Sequence, residues 1–162
     1  MSESLAGLYV PPDVEDAAAR WGANCGPCAI AAVTATLIDR IRRFLEPFSG
    51  HMSPTEVQFV LRSLGWHAVA VNTPHRRGLA FVQWCGPWEK FTRAAYRHTH
   101  WIAYRMMGDA EDLGNIAFYD VNVGDAGGWI SGNEWDRTIV PELLPAKATG
   151  WRVRLWLEVA RG

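Results

Sequence analysis

The sequence predicts an α+β protein, with helices first and a mostly antiparallel sheet after them. Two observations predict it. Apolar residues recur at three- and four-residue steps over the first third, and short apolar and aromatic runs fill the rest, several of them separated by glycine-rich turns. Helical and strand patterns do not alternate, which argues against βαβ units and a parallel sheet.

Each element has a local reason. Residues 1–20 read as an irregular N-terminal segment, because Pro11-Pro12 blocks regular structure early. From Cys25 onward Ala29, Ile30, Val33, Leu37, Ile41 and Phe44 keep a helical period. Asn24 is the expected N-cap, Pro27 sits in the first turn and Pro47 stops the helix. Ser53-Pro54-Thr55-Glu56 is a capping box that opens a second helix carrying Val57, Val60, Leu61 and Leu64, ended by Gly65. WHAVAVN (66–72), LAFVQW (79–84), HWIAYR (100–105), IAFYDV (116–121) and WRVRLWLEV (151–159) read as strands. A short helix is expected around Glu134–Leu144, kinked or ended by Pro141. No repeat or linker interrupts the chain, so 1–162 reads as one domain.

Composition narrows the function classes. Hydrophobic residues make up 49% and charged residues 20% of 162, the balance of a globular protein. A net charge of −1 offers no attraction for nucleic acid or a membrane surface. Arg40, Arg42 and Arg43 read as the solvated end of a helix, where cations suit the dipole. The start has no basic, apolar signal pattern, and no stretch approaches the ~20 apolar residues of a membrane span. Three cysteines make no disulfide framework, so a reducing, cytoplasmic setting is expected.

The stretch WGANCGPCAIAAV (21–33) carries the chemistry and admits two readings. Cys25-Gly-Pro-Cys28 is a dithiol motif of the thioredoxin kind. Such a motif follows a buried parallel strand, whereas VEDAAARWGAN before Cys25 is charged and alanine-rich. Thr73-Pro74 offers the cis-proline that such a site needs, but His75-Arg76-Arg77-Gly78 follows where a buried strand should begin. The other reading is one thiol nucleophile at a helix start, which needs a base and an orienting partner. HTHWIAYR places His98 and His100 ahead of an apolar strand, and IAFYDVN places Asp120 and Asn122 at the end of the next. Antiparallel neighbours bring those two ends together.

Asn24-Cys25-Gly26, His100-Trp101-Ile102 and Tyr119-Asp120, in that order, resemble the papain-like cysteine peptidase superfamily. The resemblance is closest to compact bacteriocin-leader-peptidase-like proteins, including short phage- and prophage-encoded members. It covers roughly residues 20–135. It implies a papain-like fold and a catalytic triad of nucleophile Cys25, base His100 and orienter Asp120. It implies a peptide or protein substrate and a peptidase. Deamidation and transglutaminase-like acyl transfer use the same triad, and a non-enzymatic binding module uses the same fold. Papain's own pattern offers Cys28 as an alternative nucleophile and Asn122 as an alternative orienter. His98 shares a strand face with His100 and is a further candidate. The family's glutamine before the nucleophile is missing, since Ala19 to Ala23 contain none. A second oxyanion donor must come from Asn24, the Trp21 indole or Gln83. Trp84, Trp101 and Trp129 lie beside the motifs and are expected to wall the substrate groove. Cys85 reads as incidental. A zinc set of Cys25, Cys28, His98 and His100 would force Cys28 out of the apolar helix stripe, so no metal and no cofactor is expected.

Overall fold

The computed structural model describes residues 5–109 and 111–162. Helices α1 (Val14–Trp21), α2 (Cys25–Thr34), α3 (Asp39–Arg42) and α4 (Pro54–Ser63) come first. Strands β1 (Trp66–Val71) and β2 (Arg77–Cys85), helix α5 (Thr92–Arg97), and strands β3 (Thr99–Met106), β4 (Ile116–Asp120) and β5 (Gly128–Ser131) follow. A helical stretch and β6 (Gly150–Arg161) end the chain. The six strands form one sheet in the order β1-β6-β2-β3-β4-β5, and every pairing is antiparallel. The α+β class read from the sequence is the class observed.

The sheet is covered on both faces. Residues of α1, α2 and α4 pack with Leu79, Phe81, Trp101, Ala103, Tyr119 and Leu157 on one face. Ala80, Val82, Ile102, Tyr104, Phe118 and Trp135 form a second core on the other. Central strands buried on both faces read as continuous apolar runs, which is why β2, β3 and β4 lack a polar alternation.

Several expectations are corrected. Residues 1–20 are not irregular throughout: α1 forms over Val14–Trp21. VEDAAARW is rich in alanine, Glu15 and Asp16 sit in the first turn, and Gly22 ends the helix at φ 74°. The helix from Cys25 does not reach Phe44. It stops at Thr34, whose hydroxyl donates to Ile30 O, and Ala35 takes the left-handed conformation at φ 53°. The Asp13 carboxylate then accepts from the N–H groups of Ile38 and Asp39 and starts a separate short helix. Helix α5 and strand β5 have no counterpart in the sequence reading. Around Pro141 the expected helix exists as Gly132–Glu134, a π-turn at Trp135–Ile139, and Val140–Leu143. The widened turn precedes the proline, which has no N–H to give a regular ladder. The Ser53–Glu56 capping box forms as read, with both reciprocal bonds made.

Gly78 lies in β2 where β6 and β3 approach from both sides. A Cβ there would run into the Leu157 carbonyl and the Tyr104 ring. Gly78→Ala is expected to lower stability by about 3 kcal/mol, measured as a fall in the urea midpoint at unchanged slope.

Candidate active site

Three elements converge on Cys25. The thiol is the first side chain of α2 and is half-buried. β3 and β4 pair only as far as Ala103 and Tyr119, so beyond them the two strands part. His100 stands on β3 in the unpaired region, and Asp120 is the last residue of β4. His100 is 8% exposed and Asp120 is 0% exposed. His100 Nε2 and Asp120 Oδ2 are 2.8 Å apart. The other ring nitrogen, Nδ1, is therefore the one left for the side-chain hydrogen bond between His100 and Cys25. The Trp101 backbone N–H also donates to the sulfur.

The carboxylate is held by further donors. Trp135 Nε1 donates to Oδ2 at 2.8 Å, and the Asn122 backbone N–H and side-chain amide each donate to Oδ1 at 2.9 Å. Trp84 stacks on the His100 ring, with centroids 5.7 Å apart. Burial alone would protonate Asp120, but His100, Trp135 and Asn122 hold its carboxyl below the ordinary value. Burial disfavours the imidazolium, yet Asp120 and Cys25 outweigh it and lift His100 to about 10. Burial likewise opposes the thiolate, and His100 together with the Trp101 N–H lowers the Cys25 pKa despite it.

Asn24 occupies the N-cap position but does not cap. Its amide donates instead to Gly50 O at 2.7 Å. The first N–H groups of α2 have no intrahelical acceptor, and Asn24 leaves them open toward the thiol. Gly26 allows the 50–53 segment to lie against this helix end, since a Cβ there would meet Met52 Sδ at 2.8 Å. Met52 O in turn accepts from Trp101 Nε1 at 2.9 Å.

Other candidates fall elsewhere. Cys28 is 0% exposed within the helix-side core, and its pKa is pushed up to about 12, first by burial and then by Cys25. Gln83 cannot serve as an oxyanion donor. Its amide nitrogen donates to the carbonyls of Trp84, Ala95 and His98. His98 does not share the site with His100: it ends α5, donates from Nδ1 to Ala94 O, and stacks on Trp88 at 4.0 Å. The Trp21 indole N–H is buried and has no partner among the described residues. Trp101 is no groove wall, because it is 3% exposed and stacked on Phe81. Trp84 is buried behind His100. Trp129 donates to Tyr9 O and lines a cavity beside Ala32 and Val33, at the opposite end of α2 from Cys25. Among the described residues no group of three or more His, Cys, Asp or Glu side chains would hold a metal ion. No helix among them is long and apolar enough to cross a membrane.

The sequence reading missed Trp135 and Met52. Neither lies in a motif, and no local signal marks a tryptophan fifteen residues after a carboxylate as its donor.

Removing the Trp135 hydrogen bond with Trp135→Phe is expected to cost at least about 2 kcal/mol in a urea titration. The pH dependence has a definite sign. A folded thiolate–imidazolium pair and an unfolded thiol plus neutral imidazole hold the same number of protons. The pair's stabilisation is therefore flat between about pH 7 and 9 and falls as pH rises through the His100 value of about 10. Urea unfolding from about pH 7 to 11 checks this fall.

No protein-family model matches the chain, and no curated protein matches it. Among solved structures it is similar to the peptidase domain of Streptococcus ComA, a bi-functional ABC transporter involved in a quorum-sensing pathway. The likeness has a TM-score of 0.52 at 13% identity and covers 96% of this chain and 98% of that domain. The likeness shows that this protein has the fold of that peptidase domain.

Proposed function

We propose that the protein is a cysteine peptidase or a closely related thiol hydrolase that cleaves an amide bond through Cys25, His100 and Asp120. The single observation that carries this reading is the chain of contacts Cys25–His100–Asp120 at a helix N-terminus. The thiolate attacks the carbonyl carbon. The open N–H groups at the start of α2 receive the developing oxyanion. His100 gives its Nδ1 proton to the leaving amine, and the thioester stays on Cys25. His100 then takes a proton from water, whose oxygen attacks the thioester and releases the acid. Asp120 keeps Nε2 protonated and the ring aligned, as the third member of a triad does. The Trp21 indole N–H is the candidate for the second oxyanion donor. Gln83 is committed to carbonyls, and the Asn24 amide is committed to Gly50.

The substrate class this reading implies is a peptide or protein. Hydrolysis is favoured over disulfide exchange because Cys28 is fully enclosed and strongly disposed to remain a thiol.

Iodoacetamide at about pH 6 tests the dyad on reduced protein, read by mass spectrometry at each cysteine. Cys25 is expected to react at least about tenfold faster than Cys28 or Cys85. His100→Ala should abolish that advantage. Equal reactivity of the three cysteines, or indifference to His100→Ala, would sink the reading. Trp21→Phe should leave the alkylation rate intact and lower turnover of a peptide library, once a cleaved sequence is found, by about 10²-fold.

A further inference from the structure

A cavity of about 370 Å³ lies on the helix-bearing face of the sheet. Ser53 and Pro54 at the start of α4, Tyr96 of α5, and Phe81 and Leu155 of the sheet border it, with Arg154 of β6 as the charged residue on its wall. One residue joins this cavity to the thiol. The Trp101 backbone N–H donates to the Cys25 sulfur, and the Trp101 ring stacks on Phe81 with centroids 4.4 Å apart. A hydrogen bond, a tryptophan side chain and that stacking distance together reach about 14 Å at most, so the Phe81 floor lies within about four extended residues of a bond held at Cys25. Met52, whose carbonyl accepts from the Trp101 indole, immediately precedes the Ser53 wall.

Arg154 reaches the cavity through a break in the strand register. Phe81 pairs with Leu155 and Val82 with Val153, so Arg154 is left unpaired in a β-bulge. Consecutive strand residues otherwise point to opposite faces. Here Arg154 and Leu155 both border the cavity, and the guanidinium lies over the Phe81 ring, 5.6 Å from its centroid. Bulges re-aim side chains in this way beside active sites. The guanidinium is also anchored, because Nη1 donates to Gln83 Oε1 at 3.2 Å. Gln83 is buried, and its own amide nitrogen is fixed by three carbonyls. That partner is neutral, and among the described residues Arg154 forms no ion pair. Glu56, the acid at the start of α4, is engaged by the Ser53 N–H in the capping box. The other guanidinium donors match a carboxylate. The aromatic and aliphatic wall beside them suits the methylene groups of an acidic side chain rather than a bare ion.

We propose that this cavity is a specificity pocket for an acidic side chain, glutamate or aspartate, of the peptide substrate, with its carboxylate on Arg154 and its methylene groups against Phe81 and Leu155. The choice of a peptide as ligand rests on the hydrolase function proposed above.

The test is fluorescence anisotropy of a positional-scanning library of rhodamine-labelled hexapeptides, bound to the full chain carrying Cys25→Ala. The peptides are amidated at the C-terminus, so only a side chain can supply the carboxylate. At one position, glutamate or aspartate is expected to bind at least about tenfold more tightly than glutamine or asparagine. Adding Arg154→Gln should abolish that preference, and Arg154→Lys should keep part of it. Arg154→Glu should turn it toward lysine and arginine, a reversal that a folding defect does not produce. Arg20→Gln should change nothing. Absence of an acidic preference at every position overturns the proposal, and so does a preference that Arg154→Gln leaves intact. No thiol takes part in this assay, so its failure leaves the alkylation result standing. Failure of the alkylation test sinks the hydrolase reading and leaves the Arg154-dependent preference to be judged alone.

Discussion

Everything at the site depends on keeping one carboxylate ionised where water does not reach it. Asp120 is fully enclosed, and an unpaired charge there would cost several kcal/mol. The chain meets that cost with donors from three places: His100 on the neighbouring strand, Trp135 from the helical stretch, and Asn122 just past the strand end. Each donor fixes a piece of backbone. Together they tie β3, the end of β4 and the helical stretch to one carboxylate. They also leave one face of the imidazole ring to Trp84 and one nitrogen to the thiol.

The thiol arrives from the other side of the sheet. Helix α2 is made of small apolar residues, CGPCAIAAVT, and can lie close against β3 and β4. Two choices shape its first turn. Asn24 turns its amide to Gly50, and Gly26 makes room for Met52. Met52 then accepts from Trp101, the residue after His100. The segment before α4 thus ties the helix start to the strand that carries the histidine. Cys25 and His100 are neighbours because both are held to the same few residues.

Cys-Gly-Pro-Cys places its two thiols in unlike environments. Both cysteines sit in the first turn of one helix, yet their surroundings differ. One faces an imidazolium and a backbone donor; the other faces the core. Burial raises a thiol pKa and a neighbouring cation lowers it. The motif therefore holds one sulfur whose pKa is lowered and one whose pKa is raised, a division that the four letters alone do not express.

The sequence by itself determined the helix start at Cys25, the capping box at Ser53, five of the six strands and the order Cys, His, Asp along them. These features depend on residues within about one helical turn or on strand alternation, so they are written locally. Tertiary structure decided the rest. Alanine-rich VEDAAARW became a helix only visible past the Pro11-Pro12 signal, and α2 stopped at Thr34 because Asp13, from a distant turn, starts α3. Gln83 was taken by three carbonyls brought together by α5 and the start of β3. Trp101, placed beside the histidine in sequence, points to the opposite face of the sheet and packs on Phe81. Trp135 reached Asp120 through a turn whose path no periodicity encodes. A side chain's neighbours in space are set by register and packing among distant segments, and those are properties of the assembled fold.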